Sequence, residues 1–293
     1  MRLHESFKIR PSKAKVESET RAFFEINENE PKVKLEFSEK NFLIFKFLEE
    51  NNLSDTSTRE DTKFLECEKQ YIFYLLIFAG GVFGGYTFVQ RGGIFCNAQT
   101  ANLVMLAIHL GKGDWGGALY YFIPFTAYLG GIMLSELLAY SIKPLHLMRW
   151  DTLLVGIEAI VTIILGFIPK SAPDQISQIS LNFLAAMQFN TFRQAEGVGM
   201  ATTFVTNHVR QMGSHLVQYL HHRKPENFNR FRRHALMVAF FVGGAAVCSS
   251  LCMIVGDYAI WCATGVEIFV FFRLLYADRT YESELLYRKP KGH

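Results

Sequence analysis

The stretch from Tyr71 to Val89, YIFYLLIFAGGVFGGYTFV, carries no charged side chain and is long enough as a helix to cross about 30 Å of hydrocarbon. Backbone N–H and C=O groups at that depth must be satisfied within the chain, which leaves helices or closed barrels as spanning forms. The runs Ala118–Ile142, Thr152–Ile168, Ala235–Val255 and Tyr258–Tyr276 repeat the pattern, and Ile176–Phe189 is a shorter run interrupted by Asn182 and Gln188. The fold class read from this is all-α: a polytopic membrane helical bundle over residues 70–277. Half of the 293 residues are hydrophobic, and much of the charge sits in residues 1–69 and in the tail 278–293, so a whole-chain average understates how apolar the middle is.

Several function classes fall away. A net charge of +3 is too small to argue for nucleic acid as a partner, and the basic residues cluster in Lys143–Arg149 and His221–His234, where membrane topology places them. Of the five cysteines, four lie in apolar segments and read as packing residues, so no metal and no cofactor is expected. There is no HExxH, GxSxG or Walker A pattern, and the chain is expected not to be an enzyme. The N-terminus lacks the apolar run of a cleaved secretory signal. Residues 1–69 read as a largely disordered cytosolic extension with one amphipathic element at Lys40–Asn52.

Two polar motifs break the apolar pattern: Arg91–Val104, RGGIFCNAQTANLV, and Ala195–Arg210, AEGVGMATTFVTNHVR. Glycines 92, 93, 197 and 199 permit tight turns, and a helix that starts after such a turn points free N–H groups and a positive dipole end at whatever lies in front. Asn97, Gln99, Thr100 and Asn102 in the first motif, and Thr202, Thr203, Thr206, Asn207 and His208 in the second, add side-chain donors and acceptors. Two broken segments meeting at the midplane are the construction of several secondary transporters, and these nine residues are the candidate substrate site. The alternative is that they bond helix to helix as packing glue.

The halves, about 70–170 and 176–277, match in order. Tyr86-Thr87-Phe88 falls against Asn190-Thr191-Phe192, Thr100 against Thr206, Gly130-Gly131 against Gly243-Gly244, and Gly156-Ile157-Glu158 against Gly265-Val266-Glu267. If neither polar motif crosses, each half has three spans plus a re-entrant segment, and the halves are inverted. Both termini and both basic loops then face the cytosol, as the positive-inside rule prefers. If both cross, there are eight spans and a parallel repeat; six is favoured. Glu158 and Glu267 stand in equivalent apolar settings, where a carboxyl must be neutral, paired or facing water. They read as a proton- or cation-coupling pair, or as buried carboxyls bonded to Arg193, Arg210 or Arg273.

At the two motifs the chain resembles the YoaK-like bacterial membrane proteins, a family of unknown function. The resemblance rests on Gly84-Gly85-Tyr86, Arg91-Gly92-Gly93, Asn97-Ala98-Gln99-Thr100-Ala101-Asn102, Gln188, Phe192-Arg193 and Ala201-Thr202-Thr203-Phe204-Val205-Thr206, and covers Tyr71 to about Tyr276. Ala101 replaces a glycine of the family pattern, Phe189 an asparagine, and Thr206-Asn207-His208 departs from a second TGN. The resemblance implies six spans and supplies no substrate.

The sequence therefore describes a multi-pass protein of the cell membrane, with two functional readings: a permease for a small solute through the two motifs, tuned by Glu158, Glu267 and Arg193, or a non-transporting scaffold or sensor. Its expected partners are the lipid bilayer, a small-molecule or ion substrate, and further copies of itself as a homo-oligomer.

Overall fold

The computed structural model describes residues 64–141, 148–286, 288 and 290. The amphipathic element at Lys40–Asn52, most of the polar extension and residues 142–147 of the first basic loop lie outside the described residues. The described residues are all-α apart from one short hairpin. Their helices are α1 (Gln70–Val89), α2 (Gln99–Gly111), α3 (Trp115–Ser141), α4 (Trp150–Gly166), α5 (Asp174–Thr191), α6 (Thr206–His222), α7 (Pro225–Val255) and α8 (Trp261–Arg279). The hairpin pairs β1 (Gln194–Ala195) with β2 (Val198–Gly199).

Among the described residues, three stretches are long and apolar enough to cross a membrane: Gln70–Val89, Trp115–Leu138 and Pro225–Arg279, the last holding both α7 and α8. α1 is apolar on every side and is the buried central helix, as all-round hydrophobicity requires. The others bury one side and leave apolar side chains outside, such as Leu129, Met133 and Leu137 on α3 and Met253, Ile254, Phe269 and Phe272 further along. An outer surface of this kind suits lipid rather than water.

The two halves pack alike. α1 lies along α7 as α5 lies along α3, α2 lies on α3 as α6 lies on α7, and α4 meets α8. The closest approaches also correspond. A Cβ on Gly244 of α7 would overlap the carbonyl of Phe78 on α1, and one on Gly131 of α3 would overlap the carbonyl of Phe183 on α5. At these two crossings only glycine lets the backbones approach so closely.

Contacts at the helix ends fix the direction of each helix. At the near end, where the chain enters α1, the Trp150 indole N–H donates to Thr191 Oγ1 (3.2 Å) and the Arg149 N–H to Asp278. At the far end, Arg91 donates to the carbonyls of Ile168 and Pro169 and pairs with Asp257 at 3.0 Å. α1, α4 and α7 thus run from near to far, and α3, α5 and α8 return.

Two segments differ from the sequence reading. His221–His234, expected as a basic loop, is the end of α6, a turn at Arg223 and Lys224, and the first turns of α7. Pro225 takes the first helical position, where its missing N–H costs nothing, and Tyr219 and Phe228 pack ring to ring at 5.0 Å. Residues 64–69, grouped by composition with the polar extension, are packed against the bundle, with Leu65, Glu66, Cys67 and Glu68 buried. Glu66 is held by Lys69, Tyr71, Arg273 (2.6 Å) and Tyr281 (2.7 Å).

Candidate functional site

The first polar motif begins where α1 stops. Gly92 (φ 73°) and Gly93 (φ 77°) take the left-handed backbone that reverses the chain. The chain then descends beside α1 until Asn97 Nδ2 donates to the carbonyl of Gly80 at 2.9 Å. At ~1.5 Å rise per residue, Gly80 lies about 15 Å below Gln90, half the length of α1. α2 climbs back to the far end, where α3 starts and the Tyr120 hydroxyl donates to the Gly92 carbonyl (3.1 Å).

The second motif does the same from the near end. Glu196 (φ 48°) and Gly197 (φ 77°) form the hairpin turn, and the Glu196 N–H donates to the Glu68 carbonyl. Met200–Thr203 then descend until a Cβ on Gly80 would lie 2.7 Å from the Thr202 carbonyl oxygen. α6 returns toward the near end. The tips of both motifs therefore flank Gly80, with Asn97 on one side and Thr202–Thr203 on the other. Tyr128 of α3 neighbours both Cys96 and Thr203.

Most of the motif amides are saturated. Gln99 Nε2 donates to the Cys96 carbonyl (3.0 Å) and to Asn182 Oδ1 (2.7 Å), and Asn102 Nδ2 to the Phe95 carbonyl (2.8 Å) and to Gln99 Oε1 (3.3 Å). Gln188 Nε2 reaches the Leu76 and Thr202 carbonyls, each at 3.2 Å. His208 is buried, with Nδ1 2.9 Å from His234 Nδ1 and Nε2 2.8 Å from the Ala201 carbonyl. Thr202 Oγ1 is buried without a hydrogen-bond partner.

The structure does not bring all the predicted residues together. Asn97, Gln99, Asn102, Thr202 and Thr203 converge around Gly80 and α5. Thr100 and Thr206 are exposed at the starts of α2 and α6, three residues past Asn97 and Thr203. Asn207 accepts from Arg210 and borders a cavity at the near end. Arg193 is not beside Glu158 or Glu267: it donates to Glu136 on α3 at 2.8 Å and to Asn190. Arg273 serves Glu66 and Arg210 serves Asn207, so the three arginines proposed for the glutamates have other partners.

Glu158 and Glu267 do come together, on α4 and α8, one of the contacts between the halves. Both are fully buried. Glu267 Oε2 accepts from the Thr162 hydroxyl (2.7 Å), and the Thr264 hydroxyl donates to Thr162 Oγ1 (2.9 Å). Both Glu158 oxygens and Glu267 Oε1 have no partner.

Sequence reasoning passed over three elements of the site. Asn182 and Gln188 were legible only as interruptions of a short span; they are the α5 groups that hold the first and second motifs. Gly80 stands in the sequence as one glycine of an apolar span, yet its role is to admit Asn97 and Thr202 to the centre. Arg91, in the sequence only the first residue of the motif, is fully buried and ties the start of the first motif to Tyr86, α4 and the α7–α8 turn.

Two cavities lie on either side of the tips. One of about 200 Å³ in the far half is bounded by Gly84, Phe88, Phe95, Asn97 and Ala245. One of about 600 Å³ in the near half is bounded by Arg193, Met200, Ala201, Asn207 and His234.

Comparison with known families matches residues 72–272 to the family described as protein of unknown function (DUF1275). The chain belongs to that family. The match runs from the start of α1 into α8 and so takes in both motifs. No curated protein and no solved structure matches the chain. The YoaK-like resemblance is consistent with DUF1275 membership, and the family and the apolar helices together point to a membrane-embedded protein.

Proposed function

We propose that this DUF1275 protein is a permease for a small solute rather than an enzyme, embedded in the cell membrane with both termini in the cytosol. Six helices cross, α1, α3, α4, α5, α7 and α8, and α2 and α6 each belong to a re-entrant segment. The observation that carries this reading is the meeting of the two motif tips on Gly80, with a cavity beyond each. Non-helical chain at half depth is tolerated only where protein or a wet cavity satisfies it, and two such segments entering from opposite ends make a closed junction between two vestibules. The matching contacts of the halves support descent from two copies of one unit in inverted orientation. Relative movement at the contacts between the halves, α1 on α7, α3 on α5 and α4 on α8, would then open the junction to either side in turn.

The near end carries the basic residues of the α6–α7 turn, which supports its cytosolic assignment. The saturation of Gln99, Asn102 and His208 favours a second reading, a scaffold in which the motifs only hold helices together. Solute flux into vesicles containing the purified chain separates the two. A screen of amino acids, sugars and small organic anions should show saturable uptake that Gly80→Leu abolishes; uptake indifferent to that substitution, or no uptake of any class by a folded protein, favours the scaffold.

A further inference from the structure

We propose that the Glu158–Glu267 pair is a proton-binding site on the α4–α8 contact between the two halves, with Glu158 carrying the proton and Glu267 held as its fixed partner. This deepens the permease reading by naming what the pair binds, and it rests on that reading only for the use made of the proton.

Donors and acceptors do not balance at the pair. Two fully buried carboxyls supply four oxygens. The one Thr162 hydroxyl hydrogen has Glu267 Oε2 (2.7 Å) and the backbone carbonyls of Glu158 and Ala159 (3.0 and 3.1 Å) within reach, and Thr264 gives its hydroxyl to Thr162. These hydroxyls cannot supply the pair, and three carboxyl oxygens have no partner at all. Unsatisfied carboxylate in a dry interior costs several kcal/mol or more, so something positive or hydrogen-bearing completes the site.

A proton fits best because it adds a donor without adding volume. A metal cation would need several oxygens turned toward one point, and Thr162 Oγ1 is already committed to Glu267 and Thr264. No cationic side chain does the work, since Arg193, Arg210 and Arg273 are engaged elsewhere. The ionisable groups that act on the pair are the two glutamates themselves and Cys262, further along α8 toward the far end. Asp151 and Asp278, on the same two helices, are gathered around Arg149 at the near end.

The asymmetry assigns the roles. Glu267 has a hydroxyl within reach and neither Glu158 oxygen has a partner, so Glu158 is the group that must bring its own hydrogen. Loss of that proton would leave two like charges facing each other across α4 and α8 and push these two helices apart. The site would thereby tie protonation to the packing of α4 on α8.

The test is infrared difference spectroscopy on the full-length protein in lipid, which reads protonation whether or not any solute moves. At neutral pH a carboxylic-acid carbonyl band should be present, should shift on ¹³C-glutamate labelling of the unmodified protein, and should vanish in Glu158→Gln. Glu267→Gln and Thr162→Val should move the band without removing it. Absence of a glutamic-acid band in the labelled, unmodified protein overturns the proposal even if Glu158→Gln does not fold. A thermal midpoint that climbs with sodium or potassium concentration, and ceases to do so in Glu158→Gln, would assign the site to a metal cation instead. Uptake that fails while the band behaves as expected counts against the permease and leaves the proton site standing.

Discussion

Asn97 donates from Nδ2 to the carbonyl of Gly80, 2.9 Å away and halfway along α1. That bond places the first motif deep in the bundle rather than at its surface. It also explains why a glycine stands there, because the Thr202 carbonyl closes on the same residue from the other side. One helical position thus receives both polar segments.

The paired glycine crossings predict matched sensitivity in the two halves. Gly131→Ala and Gly244→Ala both drive a methyl into a backbone carbonyl that has no rotamer to escape by. Each should cost at least about 2 kcal/mol, seen as a fall in the thermal midpoint of the purified protein. Gly243→Ala meets nothing within 4 Å and should be neutral or slightly stabilising.

Arg91 predicts a large effect from a single charge. It is fully buried, pairs with Asp257, bonds Tyr86 and covers the carbonyls that end α4. Arg91→Met should cost about 3–5 kcal/mol by stranding those partners. Arg91→Lys should recover only part, because an ammonium can hold Asp257 but lacks the guanidinium fork that reaches the other groups. Denaturant unfolding of the two variants checks the order.

Glu66 predicts an acid limb in the stability profile. Burial alone would raise its carboxyl, but hydrogen bonds from Lys69, Tyr71, Tyr281 and Arg273 outweigh that and hold it at about 2, against 4.5 in the unfolded chain. A lowered carboxyl contributes stability that is complete above the unfolded value and lost as pH falls toward the folded one. The midpoint of unfolding should therefore drop between pH 4.5 and about 2. Glu66→Gln should be less stable at neutral pH and flatter across that window.

The saturated amides predict coupling between motif and helix. Gln99→Ala and Asn182→Ala each leave the other's polar group buried, so the double variant should be less destabilised than the sum, by about 1 kcal/mol. A strictly additive pair would remove Asn182 from the support of the first motif.

The spans were legible because lipid imposes one strong requirement, a long run without charge, and Tyr71–Val89 meets it outright. The pairing of Glu158 with Glu267 was legible as equivalence between halves, though not as contact. Helix ends were not: apolar periodicity marks the buried middle, while α7 begins ten residues earlier, at Pro225, for reasons of capping and aromatic packing. The partners of Arg193 were hidden because an ion pair depends on which helix ends meet, and spacing along the chain carries no such information. The packing of residues 64–69 was hidden for a similar reason, since Glu66 looks like solvated charge until Tyr71, Arg273 and Tyr281 are brought around it.

The most direct test of the account is the sidedness of three turns in a cysteine-free background. Single cysteines at Gly113, Lys170 and Arg223 would be probed in intact cells and in inverted vesicles with a membrane-impermeant thiol reagent. Positions 113 and 170 should label from outside and 223 from the cytosol, because α2 and α6 return to the ends from which their segments descend. Labelling of all three from the cytosol would mean that both polar motifs cross the membrane, and would contradict this arrangement.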